Sequence, residues 1–269
     1  MFDIITVVFK DELETLELQA KSLDLYTQNL DTKCIYVMVN DESQVDITSF
    51  GSLQSKVRVV PRNIYGCKWC DNGWVSQQVL KIYGAALSSN TWSIVLDAKS
   101  FFVRNLNLTE ILKDGKPRVG QLDVYPVFQR SKEIAEDLFK IQLDAQLGPG
   151  GVPFVFHNHT VRMMIAEVEQ LTGENFAEWF QQQGMLTEFI LYSGHIYSLT
   201  DHGASLHNLD GMTFPVCHVC HSDSHQYDSK IKKMVFSTSV CIHRRAWENL
   251  GSANQEWFKR FINSRGLSL

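Results

Sequence analysis

Thr91–Arg104 reads T-W-S-I-V-L-D-A-K-S-F-F-V-R. An apolar run of strand length, Trp92 to Leu96, stops at Asp97, Ala98 and Lys99; a second run, Phe101 to Val103, follows Ser100. A buried strand that delivers an acid and a base at its C-terminal edge is how open α/β sheets present groups to a ligand. Charges are also common at ordinary turns, so the flanking sequence has to decide between the two.

Upstream, residues 3–9 read as a buried strand closed by Lys10-Asp11-Glu12. Leu13, Leu16, Ala20 and Leu23 recur at helical spacing, which predicts a helix to about Tyr26. Cys34–Val39 is a second strand ending in Asn40-Asp41-Glu42, and Val57–Val60 a third, stopped by Pro61. Asp71–Ser88 is a helix with Val75, Val79, Ile82 and Ala86 inward. Continuous apolar strands in the order β-α-β-β-α-β predict a sheet covered on both faces. Polar residues follow three strand ends, as expected of a nucleotide site, but neither a Gly-x-Gly-x-x-Gly nor a phosphate-loop signature is present.

The second half is less regular. It predicts a strand over Arg118–Val124, helices over Lys132–Gln146, 159–171 and Phe176–Gln182, and a late strand over Met234–His243. One closing helix is expected over Arg244–Ile262. Without a repeat or linker, a single domain over residues 1–269 is the simplest organisation, with the nucleotide-type sheet in residues 1–104 and the irregular half with the closing helix in 105–269.

The formal charge of −5 and the absence of a long basic run argue against nucleic acid as a partner. No stretch approaches the roughly 18 consecutive apolar residues of a membrane span. The N-terminus lacks a basic region and carries Asp3 inside its apolar run, unlike a secretory signal. A reduced, cytoplasmic protein, peripheral to the membrane at most, is the expectation. Cys67-x-x-Cys70 and Cys217-x-x-Cys220 have the spacing of zinc ligands, and His218, His221 and His225 crowd the second pair, so a structural zinc joining the two loops is one expectation.

Five stretches in matching order resemble a bacterial family of uncharacterised glycosyltransferases of the GT-A fold, a Rossmann-like mixed α/β sheet flanked by helices. They are D-I-I-T-V-V-F-K-D-E-L with L-E-L-Q-A-K-S-L, N-G-W-V-S-Q-Q-V-L-K, W-S-I-V-L-D-A-K-S-F-F-V-R, L-T-E-F-I-L-Y and S-V-C-I-H-R-R-A, spanning Asp3 to about Ala246. The resemblance implies a nucleotide-sugar donor, a hydroxyl acceptor on a glycan or lipid carrier, and a context in surface polysaccharide or glycan assembly.

It also places an Asp-x-Asp metal motif at 97–99, where two carboxylates would hold manganese or magnesium on the donor diphosphate. Here the third position is Lys99. A lysine offers a fixed positive charge in place of the cation, leaving Asp97 for the ribose or a weakly held ion. His243 falls where the fold often places a histidine on the metal or diphosphate, with Arg244 and Arg245 adding charge. Thr6, Val8, Asn40, Asp41 and Arg62 are expected along the donor, with Arg104 a weaker candidate.

On the N-G-W-V-S-Q-Q-V-L-K helix, Gln77, Gln78 and Lys81 are expected donor-binding residues; Gln78 and Lys81 are three apart and share a face, while adjacent Gln77 points elsewhere, so one amide faces the sugar or nucleotide. Glu188, an acid in an apolar segment, is the expected general base, because such a setting raises a carboxylate pKa. Two other readings stay open. One is a nucleotidyltransferase, whose Gly-rich loop is missing; the other is a non-catalytic relative that binds a glycan or nucleotide.

Overall fold

Strand β1 (Phe2–Val8) is buried at all seven positions because it is the centre of a five-stranded sheet. The computed structural model describes residues 2–41, 44–149, 152–211 and 214–268. On one side β1 pairs in parallel with β2 (Thr32–Val39), which pairs with β3 (Val57–Pro61). On the other it pairs in parallel with β4 (Trp92–Asp97), Val7 opposite Asp97. Strand Phe154–His157 closes the sheet antiparallel to β4. The predicted strands of the first half all form, and the protein is a mixed α/β single domain.

Both faces are covered. Helix α1 (Leu13–Tyr26) packs Leu16, Ala20 and Leu23 with Phe2, Ile4 and Val8. Helix α2 (Gly73–Leu87) packs Val75, Val79 and Ile82 with Ile5 and Val7 on the opposite face. Asn72 caps α2 by accepting from the Trp74 backbone N–H at 3.1 Å, which fixes where its first turn begins. Gly84 lets α2 lie close on the sheet, since a Cβ there would stand 2.6 Å from Ile5 Cγ2. Helices Asn158–Thr172, Phe176–Gln182 and Glu188–Ser198 extend the α2 side.

A second sheet grows directly out of the first. After β4 only Ala98 and Lys99 intervene before β5 (Ser100–Phe102), which pairs antiparallel with strand Ser239–Ile242; that strand in turn pairs in parallel with Val216–Val219. The buried Gln19 of α1 clamps this junction, its Nε2 donating to the Asp97 carbonyl at 2.7 Å and the Ser100 carbonyl at 2.5 Å.

The less regular half departs from its expectations. Arg118–Val124 forms only the two-residue strand Gln121–Leu122 and an isolated bridge from Arg118 to Asn208. The helix expected over Lys132–Gln146 runs from Gln129 to Phe139, and Lys140 ends it with φ 54°. The late strand is confined to Ser239–Ile242, since Met234–Phe236 forms a 3-10 turn. Leu250 and Gly251 leave the helical conformation and split the closing helix into Arg244–Asn249 and Ser252–Ser264. Among the described residues no helix is long and apolar enough to cross a membrane.

Candidate active site

The C-terminal edge of β4, the first turns of α2, the start of helix Glu188–Ser198 and the ends of two small-sheet strands enclose a cleft of about 410 Å³. Its floor is a chain of charges. Lys81 Nζ lies 2.8 Å from Glu188 Oε1 and 2.7 Å from Asp97 Oδ1. Lys99 Nζ lies 3.3 Å from Asp97 Oδ2 and 3.5 Å from Glu12 Oε1. Gln77 Nε2 donates to Asp97 Oδ1 at 2.6 Å.

Each partner is delivered by local structure. Asp97 is the last residue of β4, where the strand ceases to be flanked on both sides and its side chain can reach the edge. Gln77 and Lys81 stand one turn apart on α2 and reach the same carboxylate oxygen. That reverses the expectation that Gln77 points away, although Gln78 also lines the cleft. Glu188 opens its helix, and the Thr187 side chain caps that helix by accepting from Ile190 N–H at 3.3 Å. The helix N-terminus favours an acid at this position.

Burial and pairing pull against each other along this chain. Burial penalises ionised Asp97, but Lys81 and Lys99 outweigh it and hold the carboxyl well below the usual range. Burial also opposes a charge on Lys81, yet Asp97 and Glu188 keep its ammonium above the ordinary 10.5. Lys99 is likewise raised, with burial overcome by Asp97 and then Glu12. For Glu188, 1% exposed, burial wins over Lys81 and pushes its pKa up. Three carboxylates thus face two ammonium groups, and Glu188 is the carboxyl among them poised to take a proton.

This arrangement does not suit the expected Asp97–His243 metal site. A hard divalent cation requires several unencumbered oxygen ligands, whereas both Asp97 oxygens already face ammonium groups. Among the described residues no three His, Cys, Asp or Glu side chains converge to hold a metal ion. The zinc expectation meets the same result. Cys67 and Cys70 belong to a loop held by Glu178 and Gln181, while Cys217 lies in the small sheet with its thiol on the Lys230 carbonyl. The cysteines are free thiols.

Several residues expected along the donor stand elsewhere. Thr6 and Val8 are fully buried inside β1 and offer no ligand surface. Asn40 donates to the Gly73 carbonyl and accepts from Arg62, whose guanidinium lies over Trp69, so these two brace the loop ahead of α2. Asp41 accepts from the Lys10 backbone N–H, and Arg244 pairs with Asp11 and Glu248 in solvent. Arg104 is held by Thr238 and Glu110. His243 does line the cleft, as do Lys99, Lys81 and Glu188.

Other cleft residues lie outside the expected donor set. His218 lies on strand Val216–Val219, whose alternating burial turns it outward from the core, and burial lowers its pKa. Cys220 and Cys241, and Gln146, Tyr125 and Phe128 from the irregular half, also line the walls. Period-two alternation in V-C-H-V was the available signal for His218; the irregular residues carried none.

The profile of a family of unknown function (DUF6492) matches residues 4–241, so the chain belongs to that family. No curated protein matches it. Among solved structures, the galactosyltransferase LgtC in complex with donor and acceptor sugar analogues aligns with TM-score 0.51 at 11% identity, covering 99% of this chain and 96% of that one. An active-site mutant of LgtC aligns with TM-score 0.52 at 10% identity, over 97% and 95% of the two chains. At such identities the likeness establishes the fold, which is that of GT-A glycosyltransferases.

Proposed function

We propose that this member of the family is a glycosyltransferase that moves a sugar from a nucleotide donor to a hydroxyl acceptor, in surface polysaccharide or glycan assembly. The observation that carries the reading is the buried chain Glu188–Lys81–Asp97–Lys99 at the carboxyl edge of the sheet, inside the cleft. Ligands of open α/β sheets bind at that edge.

Lys99 supplies the positive charge that a departing diphosphate requires, exchanging its long contact with Glu12 for a phosphate oxygen. His243 adds a hydrogen-bond donor on the same wall. In an inverting course, the acceptor oxygen bonds to the anomeric carbon as the carbon–oxygen bond to phosphate breaks. The acceptor proton passes to Glu188, and the diphosphate leaves with the electron pair. Lys81 holds Asp97 and Glu188 at fixed positions and is a positioning residue. No step uses a divalent cation, because the Asp97 carboxylate is already engaged.

That same engagement favours a second reading, a glycan- or nucleotide-binding protein without turnover. Incubation with a panel of nucleotide sugars, with chelator present and released nucleoside diphosphate measured, separates the two. Turnover supports the transferase; saturable binding with no release overturns it in favour of the binder.

A further inference from the structure

Gln146 is a buried polar side chain of the cleft that the charge network leaves out. It begins the two-residue strand Gln146–Leu147, which pairs with Gln121–Leu122. The Leu147 backbone N–H donates to Ser193 Oγ at 2.9 Å, and its side chain joins the main core. Strand alternation then turns Gln146 the opposite way, to the cleft wall. Gln146 is 2% exposed, and its Nε2 has no hydrogen-bond partner among the described residues. Buried amide donors are nearly always satisfied, so a donor left open on a cleft wall marks where a ligand oxygen completes it.

The neighbouring wall supplies complementary chemistry. Tyr125 precedes the 3-10 turn Pro126–Phe128 and Phe128 ends it; both are on the cleft, and Tyr125 is 53% exposed. An accessible aromatic ring beside a polar cleft offers an apolar face with a hydroxyl at its rim. Thr187 also lines the cleft; its oxygen accepts from Ile190, which leaves its hydroxyl hydrogen available to a ligand. None of these four side chains carries a charge. An amide donor, a hydroxyl and an aromatic face suit a neutral ring with equatorial hydroxyls and a carbon–hydrogen face.

We propose that Gln146, Thr187, Tyr125 and Phe128 form a subsite for a neutral pyranose ring, with Gln146 Nε2 donating to a ring hydroxyl and Tyr125 stacking on the ring. The assignment deepens the glycosyl-transfer reading and rests on it for the identity of the ligand, but its test is binding and needs no turnover.

The full chain is titrated with methyl glycosides of glucose, galactose and mannose, with the corresponding nucleotide sugars, and with the nucleoside diphosphates alone. Saturation-transfer NMR and calorimetry read the affinities. Wild type is expected to bind at least one pyranose. Binding of methyl glycosides assigns the subsite to the acceptor, and a gain from nucleoside diphosphate to nucleotide sugar assigns it to the donor.

Gln146→Leu should weaken the pyranose affinity about tenfold and leave nucleoside diphosphate affinity unchanged. Its thermal midpoint should not fall, because it removes an unpartnered buried donor. Tyr125→Ala, at an exposed position that does not threaten folding, should weaken pyranose binding about fivefold. Absence of pyranose binding by wild type, unchanged affinity in both variants, or an equal loss for nucleoside diphosphate alone would overturn the subsite. Pyranose binding that weakens as described, without any transfer, leaves the subsite standing and defeats the transferase reading.

Discussion

Lys81 on helix α2 and Glu188 on a helix 107 residues later meet at 2.8 Å in the cleft floor, at side-chain exposures of 4% and 1%. Lys81 also touches Asp97, so one ammonium bridges two carboxylates. Lys81→Met should therefore strand the buried Glu188, leave Asp97 with Lys99 and Gln77 alone, and lower stability by about 3–5 kcal/mol. Urea unfolding of this variant, of Glu188→Gln and of the double variant measures the coupling. Additive losses would show that the pair is not an energetic unit.

Glu188→Gln keeps the shape and the contact with Lys81 but cannot accept a proton. Transfer should fall by about 10²-fold or more in kcat, with little change in donor affinity. Far-ultraviolet circular dichroism checks that the variant is folded. Retention of most activity in a folded variant removes Glu188 from the mechanism.

Asp97 and Lys99 set opposite ends of the pH–stability profile. The folded pKa of Asp97 lies below its ordinary 3.8, so its contribution is complete above that value and is lost as pH falls through the folded pKa. Lys99 is raised above its ordinary 10.5; its contribution is complete below that value and is lost as pH rises through the folded pKa. Glu188 works in the opposite sense to Asp97: with a pKa above 4.5, its ionised form costs stability as pH climbs through that raised value. Asp97→Asn should flatten the acid limb and shrink the alkaline one, read by urea unfolding from about pH 2 to about pH 12.

Metal dependence follows from the same geometry. Wild type should titrate with manganese without saturation in electron paramagnetic resonance, and its turnover should persist in excess chelator. Lys99→Asp releases Asp97 Oδ2 from an ammonium and adds a second carboxylate, so saturable manganese binding should appear. Turnover of wild type that stops with chelator and returns with manganese would refute lysine substitution for the metal.

Gly84→Ala tests the fold apart from the site. The added methyl would meet Ile5 Cγ2 at 2.6 Å and Met38 Cγ at 3.3 Å, pushing α2 off the sheet. A loss of about 1–3 kcal/mol in urea unfolding is expected, despite the better helix propensity of alanine. An unchanged or higher midpoint would mean that α2 does not rest on β1 as described.

The first half of the fold was legible because its strands are continuous apolar runs ending in polar clusters. Asp97, Lys99 and Glu188 could each be picked out as unusual for their surroundings, whereas Lys81 was legible only as part of a helix face. Their pairing could not, since it depends on α2 and helix Glu188–Ser198 docking side by side over a sheet that Phe154–His157 completes from far along the chain. Gln77 differs from its expectation because residues four apart share a helix face as residues three apart do, and Asp97 receives the pair spaced at four. Arg118–Val124 looked like a strand, but its residues are tied to Asn208 and to Gln146–Leu147 in short, separate pairings. Tyr125 and Gln146 carry no periodic signal; only the tertiary arrangement brings them to one wall.

Lys99 sits on the two-residue span where one sheet becomes the other, and Gln19 staples that span from beneath through both flanking carbonyls. The charged side of the cleft is consequently built like a keystone: shifting it means sliding one sheet against another. The facing wall hangs on a short 3-10 turn and a two-residue strand. If the glycosyl-transfer reading holds, a new sugar preference would arise with least disruption on that second wall, with the charged wall inherited unchanged.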